Sequence, residues 1–285
     1  MISPLSSAAC GIAFITASSI LFAEASSNPN EVIIMERNEI GTVPLADISI
    51  TVIYDNTSIV EGVEPSWGFS CLIEGAEEVI LFDTGSDGAL LETNMRTLGC
   101  DPGAVSTVVL SHEHWDHVDG IDGFLRLNPE VRVLMLESFS EEIHGTVAGY
   151  GAEVVDVEAP GKICTGVYTT GPLGSDPEEQ ALVMATDRGT VVITGCAHPG
   201  VVEIVEQAGS MTGQDILLVM GGFHLKSFSD EETLSVIRRF RELGVAHAGP
   251  GHCTGRRQIE LFREEYGGSF TGLGAGRVIT AGDLD

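Results

Sequence analysis

Residues 111–120 read Ser-His-Glu-His-Trp-Asp-His-Val-Asp-Gly and directly follow the apolar run Thr107-Val-Val-Leu110. His112, His114, Asp116 and His117 therefore fall together where a strand ends. A buried imidazole or carboxylate without a partner carries a desolvation penalty. A divalent cation removes that penalty, and neutral imidazole with carboxylate suits zinc and its neighbours. The spacing agrees. On an extended segment His112 and His114 point the same way, since side chains alternate with period two. A turn into a helix then carries Asp116 and His117 toward the same point. Four candidate ligands after one strand make a strong signal, unlike a lone histidine.

Working outward, apolar strands that end in histidine recur. Thr190–Thr194 runs into Gly195-Cys-Ala-His198, Ile216–Met220 into Gly221-Gly-Phe-His224, and Val245–Ala248 into Gly249-Pro-Gly-His252. Glu78–Phe82 ends in Asp83-Thr-Gly85, a carboxylate at the carboxyl end of a strand, where α/β sites are built. His144 and His247 lack this context. Helical periodicity marks 87–98, 121–128, 201–207, 230–243 and 256–266. Strands are read at 48–54, 67–74, 78–82, 105–110, 131–136 and 276–280, with a hairpin at 181–186 and 190–194. Residues 137–180 look less regular, and 176–180 reads as a polar loop.

The chain of 285 residues carries 42 acidic against 14 basic residues, a net charge of −28, and only two lysines, Lys162 and Lys226. Such a balance excludes a nucleic-acid partner, which needs a basic surface, and disfavours an anionic membrane face. The acidic residues are dispersed, as on a solvated surface. The six cysteines form no CxxC pair, so neither a disulfide framework nor a zinc ribbon is expected. Residues 1–25 read as a signal peptide, with a small apolar run from Ala8 to Ala23 and an A-x-A-like Ala23-Glu-Ala25, although no basic residue precedes the run. Export, periplasmic or secreted, is the expectation. Residues 26–47 read as a linker and entry segment, and 48–285 as one domain.

His112-x-His114-x-Asp116-His117 with His198 and His252 resembles the metallo-β-lactamase-fold superfamily. The further motifs Tyr54-Asp-Asn56, Trp67-Gly-Phe-Ser70, Leu81-Phe-Asp-Thr-Gly85, Gly221-Gly-Phe-His-Leu225 and Gly251-His-Cys-Thr-Gly255 resemble its dihydropterin-ribofuranosylaminobenzene 5'-phosphate synthase-like branch. The resemblance spans roughly residues 48–279. It implies an α/β fold, a four-layer αββα sandwich of two mixed sheets packed face to face with helices outside. By the superfamily pattern His112, His114 and His198 would hold one metal, and Asp116, His117 and His252 a second. One or two Zn²⁺ are expected, with Mn²⁺ or Fe as alternatives.

One departure stands out. Where many members carry a bridging aspartate after Thr-Gly, this chain has Cys196, either a soft ligand or an inert neighbour of His198. Asp83 is expected to orient a ligand imidazole rather than bind metal. Bound metal lowers the pKa of water to about 7 and polarises a carbonyl or phosphoryl oxygen. Asp116 would orient that water or move its proton, and His224 would stabilise developing charge or else be a core histidine. Asn56, Trp67 and Thr254 are candidate substrate contacts. Cys253, a sequence neighbour of His252, is expected to point elsewhere. The implied activity is metal-dependent hydrolysis of an ester, lactone, amide or phosphoester of a small molecule. The alternatives are a synthase-like enzyme acting on a phosphorylated pterin or ribosyl compound, and an iron-containing redox protein.

Overall fold

The structure is a computed structural model. It describes residues 40–285 and the two-residue strand β1 (Ile33–Ile34), and the segment read as a signal peptide lies outside the described residues. The first half of the chain supplies β2 (Ser49–Tyr54), β3 (Ser70–Glu74), β4 (Ile80–Phe82), α1 (Gly88–Leu98), β5 (Thr107–Val109), α2 (Trp115–Val118), α3 (Ile121–Leu127), β6 (Arg132–Leu136), α4 (Glu141–Tyr150) and β7 (Glu153–Val157). The second half supplies β8 (Gly161–Cys164), β9 (Val167–Thr169), β10 (Leu182–Thr186), β11 (Gly189–Thr194), α5 (Val201–Thr212), β12 (Ile216–Gly222), α6 (Asp230–Glu242), β13 (His247–Gly251), α7 (Arg256–Tyr266) and β14 (Val278–Thr280).

These strands form two seven-stranded sheets, ordered β14-β2-β3-β4-β5-β6-β7 and β1-β8-β9-β10-β11-β12-β13. Each sheet begins antiparallel and becomes parallel, from β4 to β7 in one and from β11 to β13 in the other. Alternation along the strands divides the apolar side chains between two layers. Leu182, Met184, Val191 and Ile193 face inward and join Val52, Phe82 and Leu134 of the facing sheet in one core. Val183, Val192 and Val219 face outward and are covered by Ile204 of α5, Ile237 and Phe240 of α6, and Phe262 of α7. On the opposite side α1, α3 and α4 cover the first sheet. The architecture is the expected αββα sandwich. Strands buried on both faces read as continuous apolar runs, as β11 and β12 do.

Two expectations change. Residues 137–180 are not irregular: they hold α4, β7, β8 and β9. The α4 helix escaped notice because His144, Gly145 and Gly149 interrupt its apolar face. The entry segment is also more than a linker, because β1 pairs antiparallel with β8 and the Val43 N–H donates to Ala185 O at 3.0 Å.

The parallel groups determine where chemistry collects. The chain leaves β4, β5, β11, β12 and β13 at their carboxyl ends with Asp83, His112, His198, His224 and His252. Antiparallel hairpins could not bring so many ends of one polarity together.

Candidate metal centre

The site is built from the loops that follow those strand ends. His112 and His114 lie in the loop after β5, not on the strand itself, and Asp116 and His117 lie on the short helix α2. Potential ligand atoms gather in overlapping groups, each within 4.8 Å. One is His112, His114 and His198. A second is Asp116, His117, Cys196 and His252. A third is Cys196, His198 and His224.

The surrounding hydrogen bonds fix which nitrogen faces inward; these tautomers are assigned from the network. Ser111 Oγ donates to Asp83 Oδ2 at 2.8 Å, so His112 Nδ1–H donates to Ser111 Oγ at 2.9 Å. His117 Nδ1–H donates to Asp83 Oδ2 at 2.7 Å. His252 Nδ1–H donates to Asn56 Oδ1 at 3.1 Å, while Asn56 Nδ2 donates back to the His252 carbonyl at 2.9 Å. Each ring thus spends its proton outward and turns Nε2 toward the cluster. His112 Nε2 lies 3.0 Å from His114 Nδ1, and His117 Nε2 lies 3.2 Å from His252 Nε2. Lone pairs facing at such distances repel unless a proton or a cation lies between them. His198 Nε2 is buried and has no hydrogen-bond partner. The donor set therefore fits divalent metal. The outward partners are those that fix and strengthen metal-binding imidazoles.

The two principal groups differ in charge. In the first, burial and then neighbouring imidazoles hold His112 well below the ordinary value and push His198 down to about 4. This is a neutral, all-imidazole site. In the second, burial alone would lower His117, but the carboxylates of Asp83, Asp116 and Glu179 together outweigh it and push the ring up to about 8. Burial alone would raise Asp116. Its hydrogen bond with His252 and the charges of His117 and His252 hold it well below the usual carboxylate range. Trp67 Nε1–H also donates to Asp116 Oδ2 at 2.7 Å. Asp116 stays ionised at neutral pH, which suits a ligand better than a proton carrier.

Backbone strain concentrates here. The non-glycine residues with positive φ among the described residues are Asp83, Ala197, His224 and His252, at 55°, 62°, 53° and 44°. Such conformations cost on the order of 1–3 kcal/mol each and persist where surroundings enforce them. The enforcing groups are visible. Asp55 accepts the His252 N–H at 3.2 Å. Glu179, fully buried, accepts the N–H groups of Cys196, Ala197 and His198 at 2.9, 2.8 and 2.8 Å. Burial raises the Glu179 carboxyl despite these bonds. Gly195 is required for the same loop: a Cβ there would sit 2.1 Å from Ser111 Oγ.

Several expectations are corrected. Thr254 cannot contact substrate, because it is buried, donates to Gly251 O at 2.6 Å and accepts the Phe223 N–H at 3.1 Å. Asn56 lines a cavity, but both ends of its amide are engaged with His252, and it positions that ring. Cys196 lies among the ligand atoms, with Sγ 3.3 Å from His117 Nε2, rather than behind them. Cys253 does not point away: its Sγ donates to Cys196 O at 3.6 Å and borders His224. His224 keeps an exposed ring, 4.3 Å from the His198 ring centroid. Asp83 is buried and engaged with Ser111 and His117. Glu179 and Ser111 were missed altogether. His144 pairs with Asp156 at 2.9 Å and, among the described residues, joins no ligand group.

Cavities flank the cluster, one of them about 460 Å³ between Trp67, His224, Lys226 and Cys253. On the His252 side is one of about 760 Å³, bordered by Trp67, Lys226 and Arg256. On the other is an apolar one of about 300 Å³, bordered by His198, Val201, Phe223, His224 and Phe228.

The family model described as the metallo-beta-lactamase superfamily matches residues 68–252, a span that closes on the ligand candidate His252. The chain belongs to the metallo-β-lactamase superfamily. Within it, the chain is similar to Tm1679, a metal-dependent hydrolase of the beta-lactamase superfamily. The two are 30% identical, with 82% of this chain and 99% of that one covered and a TM-score of 0.71. It is also 28% identical to the 7,8-dihydropterin-6-methyl-4-(beta-D-ribofuranosyl)-aminobenzene-5'-phosphate synthase of Methanocaldococcus jannaschii, over 75% of this chain and 91% of that one. The metallo-β-lactamase fold protein YhfI of Bacillus subtilis shares the fold, with a TM-score of 0.62 at 16% identity over 81% of this chain and 99% of that one.

Proposed function

We propose that this metallo-β-lactamase-superfamily protein is a metal-dependent hydrolase acting on an ester, lactone, amide or phosphoester of a small molecule. The observation that carries the reading is the convergence of imidazole nitrogens, with the outward nitrogens of His112, His117 and His252 already engaged. His112, His114 and His198 would hold one ion, and Asp116, His117, His252 and Cys196 a second. Zinc suits this set of nitrogen, oxygen and sulfur donors best. The ion supplies Lewis-acid polarisation and an acidified water. The chain's own residues do the rest. Asp83 holds His112, through Ser111, and His117 in their binding tautomers. Asp116 keeps a charged oxygen on the cluster with Trp67 as its donor. His224, exposed at the mouth, is placed to donate to a substrate oxygen as negative charge develops. The net charge of −28 supports a small-molecule substrate over nucleic acid.

The test is metal content of protein purified without added metal, with turnover on phenyl esters, phosphodiesters and lactones. About two zinc per chain with turnover supports the proposal. His114→Ala should remove metal and activity together, and an active metal-free variant would refute it. A second reading, a synthase acting on a phosphorylated pterin or ribosyl compound, is favoured by the name of the 28%-identical relative. Zinc with no hydrolysis of any ester would shift the reading there, and iron in place of zinc would point to redox chemistry.

A further inference from the structure

Two thiols stand together at the metal cluster, and the hydrolase reading employs only one of them. Cys196 follows β11 and Cys253 follows β13, and both strands run parallel to β12, which lies between them. Their carboxyl ends therefore share one edge of the sheet. Cys253 Sγ lies 3.6 Å from the Cys196 carbonyl oxygen. The two thiols are within hydrogen-bonding reach of each other, and the His224 ring is within reach of Cys253. Gly222, at the end of β12, lets them meet: a Cβ there would sit 2.8 Å from Cys253 Sγ and 3.2 Å from Cys196 Cα. Both cysteines are buried, but Cys253 borders the cavity of about 460 Å³ with Trp67 and His224, which gives a small solute a route to its sulfur. Cys196 Sγ lies 3.3 Å from His117 Nε2, inside the second ligand group. Among the described residues the remaining free cysteines, Cys71, Cys100 and Cys164, belong to no ligand group.

We propose that Cys196 and Cys253 form a redox switch on the metal centre: hydrogen peroxide joins them in a disulfide, which withdraws Cys196 from the second ion and releases it. The proposal rests on the reading of Cys196 as a ligand of that ion, and it names the regulation of that site. The chemistry needs no other reactant. The Cys253 sulfur attacks one peroxide oxygen, the O–O bond breaks, and a sulfenic acid and water form. The Cys196 sulfur then attacks the Cys253 sulfur, the S–O bond breaks, and a second water leaves. The two thiols give up two protons and two electrons, and the peroxide is reduced to two waters. Cys253 reacts first because it borders the cavity, whereas Cys196 is enclosed by the ligand residues. A bound ion opposes the second step by occupying the Cys196 sulfur, so the metal-free site closes faster. The thiolate is the metal-binding form of cysteine. Once its sulfur is committed to a disulfide, the second group is reduced to Asp116, His117 and His252. The all-imidazole first group loses nothing.

The test treats the zinc-loaded full chain with hydrogen peroxide, blocks the remaining thiols, and maps cysteine-containing peptides without reductant. A chromophoric chelator follows released zinc. The expected result is a Cys196–Cys253 link with loss of about one zinc per chain, and recovery of that zinc after a dithiol reductant and fresh zinc. Metal-free protein should form the same link faster. Cys253→Ser should bind zinc as the parent does, form no link, and release zinc about tenfold more slowly under peroxide. Cys100→Ser should behave as the parent. If metal-free protein forms no Cys196–Cys253 link, the switch does not exist. If linked protein keeps both ions, Cys196 is not a ligand, and the switch fails while the hydrolase reading stands. Equal zinc release from Cys253→Ser and the parent would place the oxidation on the ligands themselves, which also overturns the proposal. The hydrolase reading fails separately, through absence of zinc or of ester turnover in untreated protein.

Discussion

Asp83 supports both ligand groups at once: its Oδ2 accepts from His117 Nδ1 at 2.7 Å and from Ser111 Oγ at 2.8 Å, and Ser111 in turn accepts from His112. Asp83→Asn keeps the size and removes the charge. It should weaken binding of both ions, by about 10–100-fold, with the fold retained. Titration with a chromophoric chelator checks this. Loss of one ion with the other unaffected would contradict the shared support.

Glu179 holds three successive N–H groups around left-handed Ala197. Glu179→Gln keeps an acceptor oxygen and places an NH₂ group against a donor. The expected cost is on the order of 2 kcal/mol in urea unfolding, together with selective loss of the ion that needs His198. Unchanged stability and metal content would show that this loop holds its shape without the carboxylate.

Acid should destabilise the metal-free protein well before ordinary carboxylates titrate. His112 and His198 lie below the ordinary imidazole value of 6.5, the latter at about 4. Between 6.5 and 4 the unfolded chain binds protons that the folded chain refuses, so stability falls as pH drops through that window. Urea midpoints of metal-free protein at pH 7, 6, 5 and 4 test the sign. Bound metal should steepen the dependence, since its ligands must be deprotonated.

Cys196 Sγ lies among the ligand atoms of the second group. In cobalt-substituted protein a thiolate-to-metal charge-transfer absorption is therefore expected, and Cys196→Ser should abolish it. The same band in both proteins would place the sulfur outside the coordination sphere.

Much of this was legible in the chain. Apolar runs ending in histidine announced the strand ends, and the 111–120 stretch announced the cluster. What stayed hidden were residues whose role comes from long-range packing. Glu179 sits in a stretch that reads as a polar turn, and only the pairing of β10 with β9 turns it inward beneath residues 196–198. Thr254 reads in sequence as a candidate substrate contact, yet its hydroxyl is consumed where β12 and β13 end. Cys253 follows His252, but the φ of 44° at His252 turns the chain sharply enough to bring the thiol back toward Cys196. Local pattern locates strands and clusters; it does not reveal which side chains brace them.

The two principal ligand groups draw on both sheets: His112 and His114 follow β5, while His198 follows β11, and Asp116 and His117 meet His252 only after β13. During synthesis the early half therefore emerges with a half-made coordination shell. Its imidazoles can be captured only weakly until the later strands arrive. A metal held by both halves would then register correct docking of one sheet on the other. An ion supplied too soon, to the first lobe alone, would find a site that cannot close.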